Sequence, residues 1–251
     1  MRWKMVCKKI SNHKKMEVLN KKMEVLKKKL AKWRSYAGEI SCKYQGIGPT
    51  GGFCLSANKR RVGGNDYIDK RFASFLMLLF ANSSVTDFGC GLGQYGKEFL
   101  KKDIPWVGYD GAENIESVTN GFVKFLDLTE EHDIDKSDWT MSIEVGEHIP
   151  KEYEEMYLYN ILNPAKKGVL LSWALPDQPG HYHVNGKKNK IVICLMEAVG
   201  FSYDTAKTNA LRNTVVGLPW LKNTAMIFSV QKKSWNTFEE FRILIQGANC
   251  K

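Results

Sequence analysis

Apolar and polar positions along this chain follow two different periods, and the change of period divides it. Near the N-terminus Met16, Leu19, Met23, Leu26, Leu30 and Trp33 recur every three or four positions, and the hexapeptide 14–19 is repeated unchanged at 21–26. That is a heptad pattern with apolar a and d positions, and it predicts a helix. Such a helix packs its stripe on the body or leaves it in solvent, or else mediates self-association as a short coiled coil; three heptads alone are marginal for the last role. A Gly-rich loop at 46–64 then separates this arm from the rest. From Asp66, read as an N-cap, a helix is predicted to about residue 81. Beyond it strands are predicted near 84–88, 105–109, 122–125, 138–143 and 167–173, and helices near 94–101, 113–119, 151–162 and 187–199. After Gly200 come a short strand near 201–203, a polar stretch with helical character, and a strand at 224–230. Strands alternating with helices predict a doubly wound, mostly parallel sheet, and the late strand predicts an antiparallel finish. The expected organisation is a basic helical arm at 1–45, a linker or lid at 46–64, and an α/β domain at 65–251.

Charge sharpens the division. The 251 residues carry a net charge of +10, but 1–34 hold 13 Lys and Arg against Glu17 and Glu24. The arm is therefore strongly basic and the body close to neutral. A basic arm suits an acidic membrane surface or nucleic acid. A neutral body argues against a long nucleic-acid contact, which needs a basic track. With 43% apolar and 12% aromatic residues the chain can bury one sizeable core. The six cysteines show no C-x-x-C pair and no dense spacing, so reduced thiols in a cytoplasmic protein are expected, with a Cys42–Cys54 bridge as the alternative. No apolar run suits a signal peptide, and the most apolar later stretch, 72–81, is too short to span a bilayer.

The densest chemistry lies in Asp87-Phe88-Gly89-Cys90-Gly91-Leu92-Gly93-Gln94-Tyr95-Gly96. It reads as a buried strand turning through glycines into a helix, where backbone N–H groups can approach an adenosine cofactor. Gly91-x-Gly93-x-x-Gly96 matches a dinucleotide fingerprint, with Asp110 at the end of the next strand, so a nicotinamide cofactor is one reading. Asp87 favours another, because an acid two positions before the first glycine can meet an ammonium group. S-adenosyl-L-methionine has an α-ammonium and a dinucleotide has none.

On these residues the chain resembles the class I S-adenosylmethionine-dependent methyltransferases over roughly 65–231. The turn at Asp87, Gly89, Gly91 and Gly93 looks like their first motif and Trp106-Val107-Gly108-Tyr109-Asp110 their second. Phe125-Leu126-Asp127-Leu128 is similar to the motif after the third strand. Ser142 through Glu144 to Pro150 resembles the fourth motif of the ubiquinone-biosynthesis-like branch. The resemblance implies a Rossmann-like seven-stranded sheet with an antiparallel last strand. It also implies a cofactor site in which Asp110 meets the ribose, Asp127 and Leu128 the adenine, and Glu144 faces cofactor and substrate. Asp127 also fits a plain helix cap. Methyl transfer to an oxygen or nitrogen acceptor follows, with a small molecule or protein side chain favoured over long nucleic acid and His148 and His183 as catalytic bases.

Glu144-x-x-Glu147-His148 has a second meaning, for it resembles the metal-binding motif of small-RNA 3′-terminal 2′-O-methyltransferases, with His183 as the further ligand. Glu144, Glu147, His148 and His183 would then converge on a divalent ion that orients ribose hydroxyls. Trp173 and Tyr182 are expected as flat walls of an acceptor pocket, His181 and His183 as its polar tips, and 218–223 as its far side. A non-catalytic cofactor-binding scaffold is the reading from another class.

Overall fold

A computed structural model describes residues 2–48, 50–54 and 68–250. Seven strands form one sheet: β1 Val85–Phe88, β2 Trp106–Asp110, β3 Val123–Phe125, β4 Ser137–Ser142, β5 Ala165–Leu171, β6 Phe201–Tyr203 and β7 Met226–Val230. Their order is β3-β2-β1-β4-β5-β7-β6. β1 to β5 run parallel, while β7 is antiparallel to both neighbours, β5 and β6. The chain order reverses between β1 and β4, and ligands of open α/β sheets bind outside the strand C-termini at such a switch point.

The two faces of the sheet follow from the two-residue period of its strands. In β5, Val169 and Leu171 enter a core with Tyr157, Trp173, Phe228 and Phe241, and Leu170 enters the opposite core with Phe72, Phe99, Trp139 and Ile227. Polar positions of β4 are paired internally: Thr140 Oγ1 donates to the Ile161 carbonyl, and Ser142 Oγ donates to the Phe88 carbonyl while accepting from Tyr157 Oη. The helices are α1 Arg2–Gln45, α2 Lys70–Leu79, α3 Gln94–Leu100, α4 Ile115–Thr119, α5 Glu154–Leu162, α6 Asn189–Ala198, α7 Thr205–Thr214, α8 Leu221–Thr224 and α9 Phe238–Gly247.

Three expectations change. The helix expected from Asp66 begins at Lys70 and is capped by Asp69, whose Oδ1 accepts from the Arg71 and Phe72 amides; Asp66 itself, and most of the expected lid, lie outside the described residues. α9 was not expected at all, although Phe241 and Ile245 bury its apolar side. Of the arrangements expected for the stripe of α1, the structure has the solvent-facing one: Met16, Leu26 and Trp33 are 57%, 59% and 70% exposed. The reduced thiols are not all present either, because Cys194 and Cys250 are bonded 56 residues apart and Cys54 is disulfide-bonded too. Cys250 arrives beside α6 only because α9 folds back on the body, a pairing that linear spacing does not carry. The Cys42 side chain lies outside the described residues.

Candidate functional site

The C-terminal ends of β1, β2 and β4, the residues directly after β3 and the loop from Gln178 open into a cavity of 690 Å³, the size range of ligand sites. At one end lies the glycine turn. Gly89, Gly91 and Gly93 have φ of 72°, 58° and 70°, a region that costs side-chain-bearing residues energy. At Gly89 the need is double, because a Cβ there would sit 2.3 Å from Val145 Cγ2. Asp110 buttresses the turn: its Oδ2 accepts from the Gly91 amide at 2.7 Å and its Oδ1 from the Ala112 amide at 3.0 Å. Each oxygen keeps a second lone pair for a ligand hydroxyl.

Asp87 is buried, and its Oδ2 accepts from Trp106 Nε1 at 3.3 Å. Burial pushes its carboxyl up to about 8 against that hydrogen bond, with the Asp110 carboxylate adding to the rise. Asp127 lines the cavity and also caps a turn, its Oδ1 accepting from the Thr129 amide at 2.9 Å and from Thr129 Oγ1 at 2.6 Å. Leu126 and Leu128 line the same wall.

At the other end the chain leaves β4 through Glu144, a non-glycine residue at φ 54°. Its amide donates to Ser172 Oγ, and its carboxylate accepts from Gln178 Nε2 at 2.9 Å and Thr224 Oγ1 at 3.0 Å. A short 3-10 turn, Gly146–His148, then presents Glu147 and His148. Glu147 is fully buried, and neither carboxylate oxygen has a hydrogen-bond partner among the described residues. Burial raises its pKa well above the usual carboxylate range and the nearby Glu144 adds to the shift, while the Glu147 and Ala174 backbone amides, close by but outside hydrogen-bond geometry, offset part of it. The Val184 and Asn185 amides donate to the Glu147 carbonyl at 2.9 Å and so bring the 178–185 loop against this turn. His148 Nδ1 meets the Tyr182 carbonyl at 3.1 Å, and His183 Nδ1 meets the Gln178 carbonyl at 3.0 Å. A carbonyl partner fixes Nδ1 as the donor, so in the neutral ring Nε2 is the acceptor atom. Ligand atoms of Glu147, His148 and His183 all lie within 4.8 Å of one another.

Of the four residues expected to converge, three do so, and Glu144 is instead tied to Gln178 and Thr224. Trp173 does not wall the cavity. It is buried in the core, donates from Nε1 to the Asn185 carbonyl, and lies where a Cβ on Gly146 would be 2.5 Å from its ring. Tyr182 contributes its carbonyl to His148, and it is His181, with Leu218, Pro219 and Trp220, that lines the cavity.

Several lining residues were not expected from the sequence. The segment 50–53 forms a wall, with Gly51 and Gly52 placed where a Cβ would strike the His148 and Gly111 carbonyls and Phe53 edge-on to His148 at 4.8 Å. Gln94, Tyr95 and Gln178 line it as well. The Gly51-Gly52 pair was the available signal, but its use as a close-approach point needs the partner strand ends.

No protein-family model and no curated protein matches the chain. Among solved structures it is similar to a TehB-like S-adenosylmethionine-dependent methyltransferase from Corynebacterium glutamicum, with 16% identity, a TM-score of 0.51, and coverage of 68% of this chain and 91% of that one. A magnesium protoporphyrin IX methyltransferase from Synechocystis, with bound S-adenosylmethionine, aligns at 16% identity and a TM-score of 0.49 over 69% of this chain and 89% of that one. The fold is that of the class I S-adenosylmethionine-dependent methyltransferases.

Proposed function

We propose that this protein transfers the methyl group of S-adenosylmethionine to a hydroxyl held beside a divalent cation on Glu147, His148 and His183. The cofactor half rests on the left-handed glycine turn, the Asp110 oxygens beside it and the buried Asp87 carboxyl. The Asp110 oxygens fit a ribose diol and the Asp87 carboxyl an ammonium group. In the transfer the acceptor oxygen bonds to the methyl carbon as the carbon–sulfur bond breaks, leaving S-adenosylhomocysteine, and the hydroxyl proton passes to base or solvent. Orientation and exclusion of water supply much of the acceleration in such a displacement.

One observation carries the cation reading over a metal-free base. Glu147 is a fully buried carboxyl group with no hydrogen bond to either oxygen among the described residues; His148 Nε2 lies 3.9 Å from its Oε1, and its ligand atoms and those of the two imidazoles, whose Nδ1 atoms already meet backbone carbonyls, gather within 4.8 Å. Burying such a group without compensation is costly, and a mixed nitrogen and oxygen donor set suits a first-row divalent ion. A bound cation would lower the pKa of the acceptor hydroxyl and fix its orientation. Three protein ligands leave coordination positions open, so a vicinal diol, such as the 3′-terminal ribose of an RNA, is the acceptor class we favour. The Glu147-His148 part of the string that resembles the small-RNA enzymes, with His183, supports the same reading, although Glu144 is tied to Gln178 and Thr224 instead.

The test supplies labelled S-adenosylmethionine and manganese with RNA oligonucleotides bearing either a 3′-terminal diol or a 2′-deoxy end. Label is expected in the diol RNA only, and chelator or His183→Ala is expected to reduce it by about 100-fold or more. Transfer that persists in chelator overturns the cation reading and leaves His148 or His183 as base. Label appearing only in small-molecule or protein fractions of a cell extract overturns the ribose acceptor. Absence of S-adenosylhomocysteine binding by calorimetry overturns the whole reading.

A further inference from the structure

Helix α1 continues to Gln45, well past the repeated hexapeptides. The seven-residue register therefore extends from Met16 and Leu19 through Leu30 and Trp33 to Ile40 and Tyr44, the last two 46% and 76% exposed. The seam covers four heptads, about 42 Å at 1.5 Å per residue. Gly38 lies at position b, outside this seam, and a Cβ there would be 3.4 Å from Glu113 Cγ, so a different side of the helix meets the body. A strict seven-residue apolar seam of this length on a helix facing water marks a protein contact.

The flanking charges select the partner. Lys15, Lys22 and Lys29 occupy g positions, Lys27 and Arg34 occupy e positions, and Glu17 and Glu24 fall at b, away from the seam. A second copy in parallel would set Lys22 against Lys27 and Lys29 against Arg34, and an antiparallel copy would set lysine against lysine. Like charges at these positions oppose pairing. We propose that α1 is one strand of a heterotypic coiled coil whose partner is a helix with apolar a and d residues and Glu or Asp at e and g. A polyanion such as nucleic acid or an anionic membrane would use the charges, but it has no need of a seam repeating every seven residues.

The test uses the full chain in analytical ultracentrifugation with a synthetic four-heptad peptide carrying Ile at a, Leu at d and Glu at e and g. The chain alone is expected to sediment as a monomer and to bind the peptide one to one, roughly tenfold more weakly at high than at low salt. The same peptide with Lys at e and g is expected not to bind. Leu26→Asp is expected to abolish binding, and Leu26→Ala, which keeps helix propensity, to weaken it. The proposal is overturned if the chain dimerises by itself and Leu26→Ala dissolves that dimer. It is equally overturned if a scrambled acidic peptide, single-stranded RNA or anionic vesicles bind as well as the heptad peptide and neither Leu26 variant changes this. Methyl transfer plays no part in these readouts, so the two proposals fail independently.

Discussion

Asp87 shows how one side chain changes its chemistry with burial. As a sequence position it is an acid before a glycine; in the folded chain its carboxyl lies near 8 because water is excluded from it. The ammonium of a bound cofactor would draw that value down. The affinity for S-adenosylhomocysteine should therefore rise with pH through the neutral range and level off above about 8, with a proton released on binding near neutral pH. Calorimetry in buffers of different ionisation heat measures this, and an affinity flat with pH would remove Asp87 from the site. The stability of the ligand-free protein should follow the same group. Its folded pKa is raised above 3.8, so the stability it contributes is complete below that pH and is lost as pH climbs towards 8. Glu147 adds to the same slope, and Asp87→Asn should flatten its own share.

At the scale of elements, Asp69 joins two parts of the chain nearly 150 residues apart. One oxygen caps α2, and Oδ2 accepts from the amides of Val216 and Gly217 at 2.6 and 2.5 Å and of Leu218 at 3.3 Å. The following residues, Pro219 and Trp220, line the cavity. Burial raises the Asp69 pKa, but the backbone amides from Phe72 and 216–218 together pull it below 3.8. A depressed folded value gives stability that is complete above the unfolded pKa and is lost as pH falls below about 3.8. Loss of the cap alone should cost about 1 kcal/mol in Asp69→Ala, and the unpaired amides at 216–218 add to it. Asn carries one acceptor oxygen, so Asp69→Asn can cap the helix or hold the loop but not both. Denaturant melts combined with Trp220 fluorescence separate the two losses. The sequence reading placed the cap at Asp66, three residues early, and the second job of Asp69 was not legible at all, because it depends on the 216–218 loop arriving from beyond β6.

The whole molecule adds a covalent tie. The Cys194–Cys250 bond holds the segment after α9 against α6, and in the chain-entropy account a loop of that length is worth at most about 4 kcal/mol. Reduction, or Cys194→Ser with Cys250→Ser, should lower the denaturant midpoint accordingly. An unchanged midpoint would show that packing of Phe241 and Ile245 holds α9 without it. The cytoplasmic expectation rested on cysteine spacing, and the disulfides remove that basis. Among the described residues no helix is long and apolar enough to cross a membrane.

Local regularities were legible without the fold. Period-two and heptad patterns located all seven strands within a few residues and all but the last of the longer helices, and the spacing of Asp87, the glycines and Asp110 marked one end of the cavity. These signals are local because a strand, a helix or a glycine turn is specified by residues adjacent in the chain. The order of the sheet, the union of Glu147 and His148 with His183, the tie of Glu144 to Gln178 and Thr224, and the Cys194–Cys250 bond were decided by tertiary structure. Each depends on distances between segments far apart in the chain, which close only when the two cores pack against the sheet. The sequence by itself determined the glycine turn and the charge and period of α1; only the packed molecule decided which acids and histidines share one buried space.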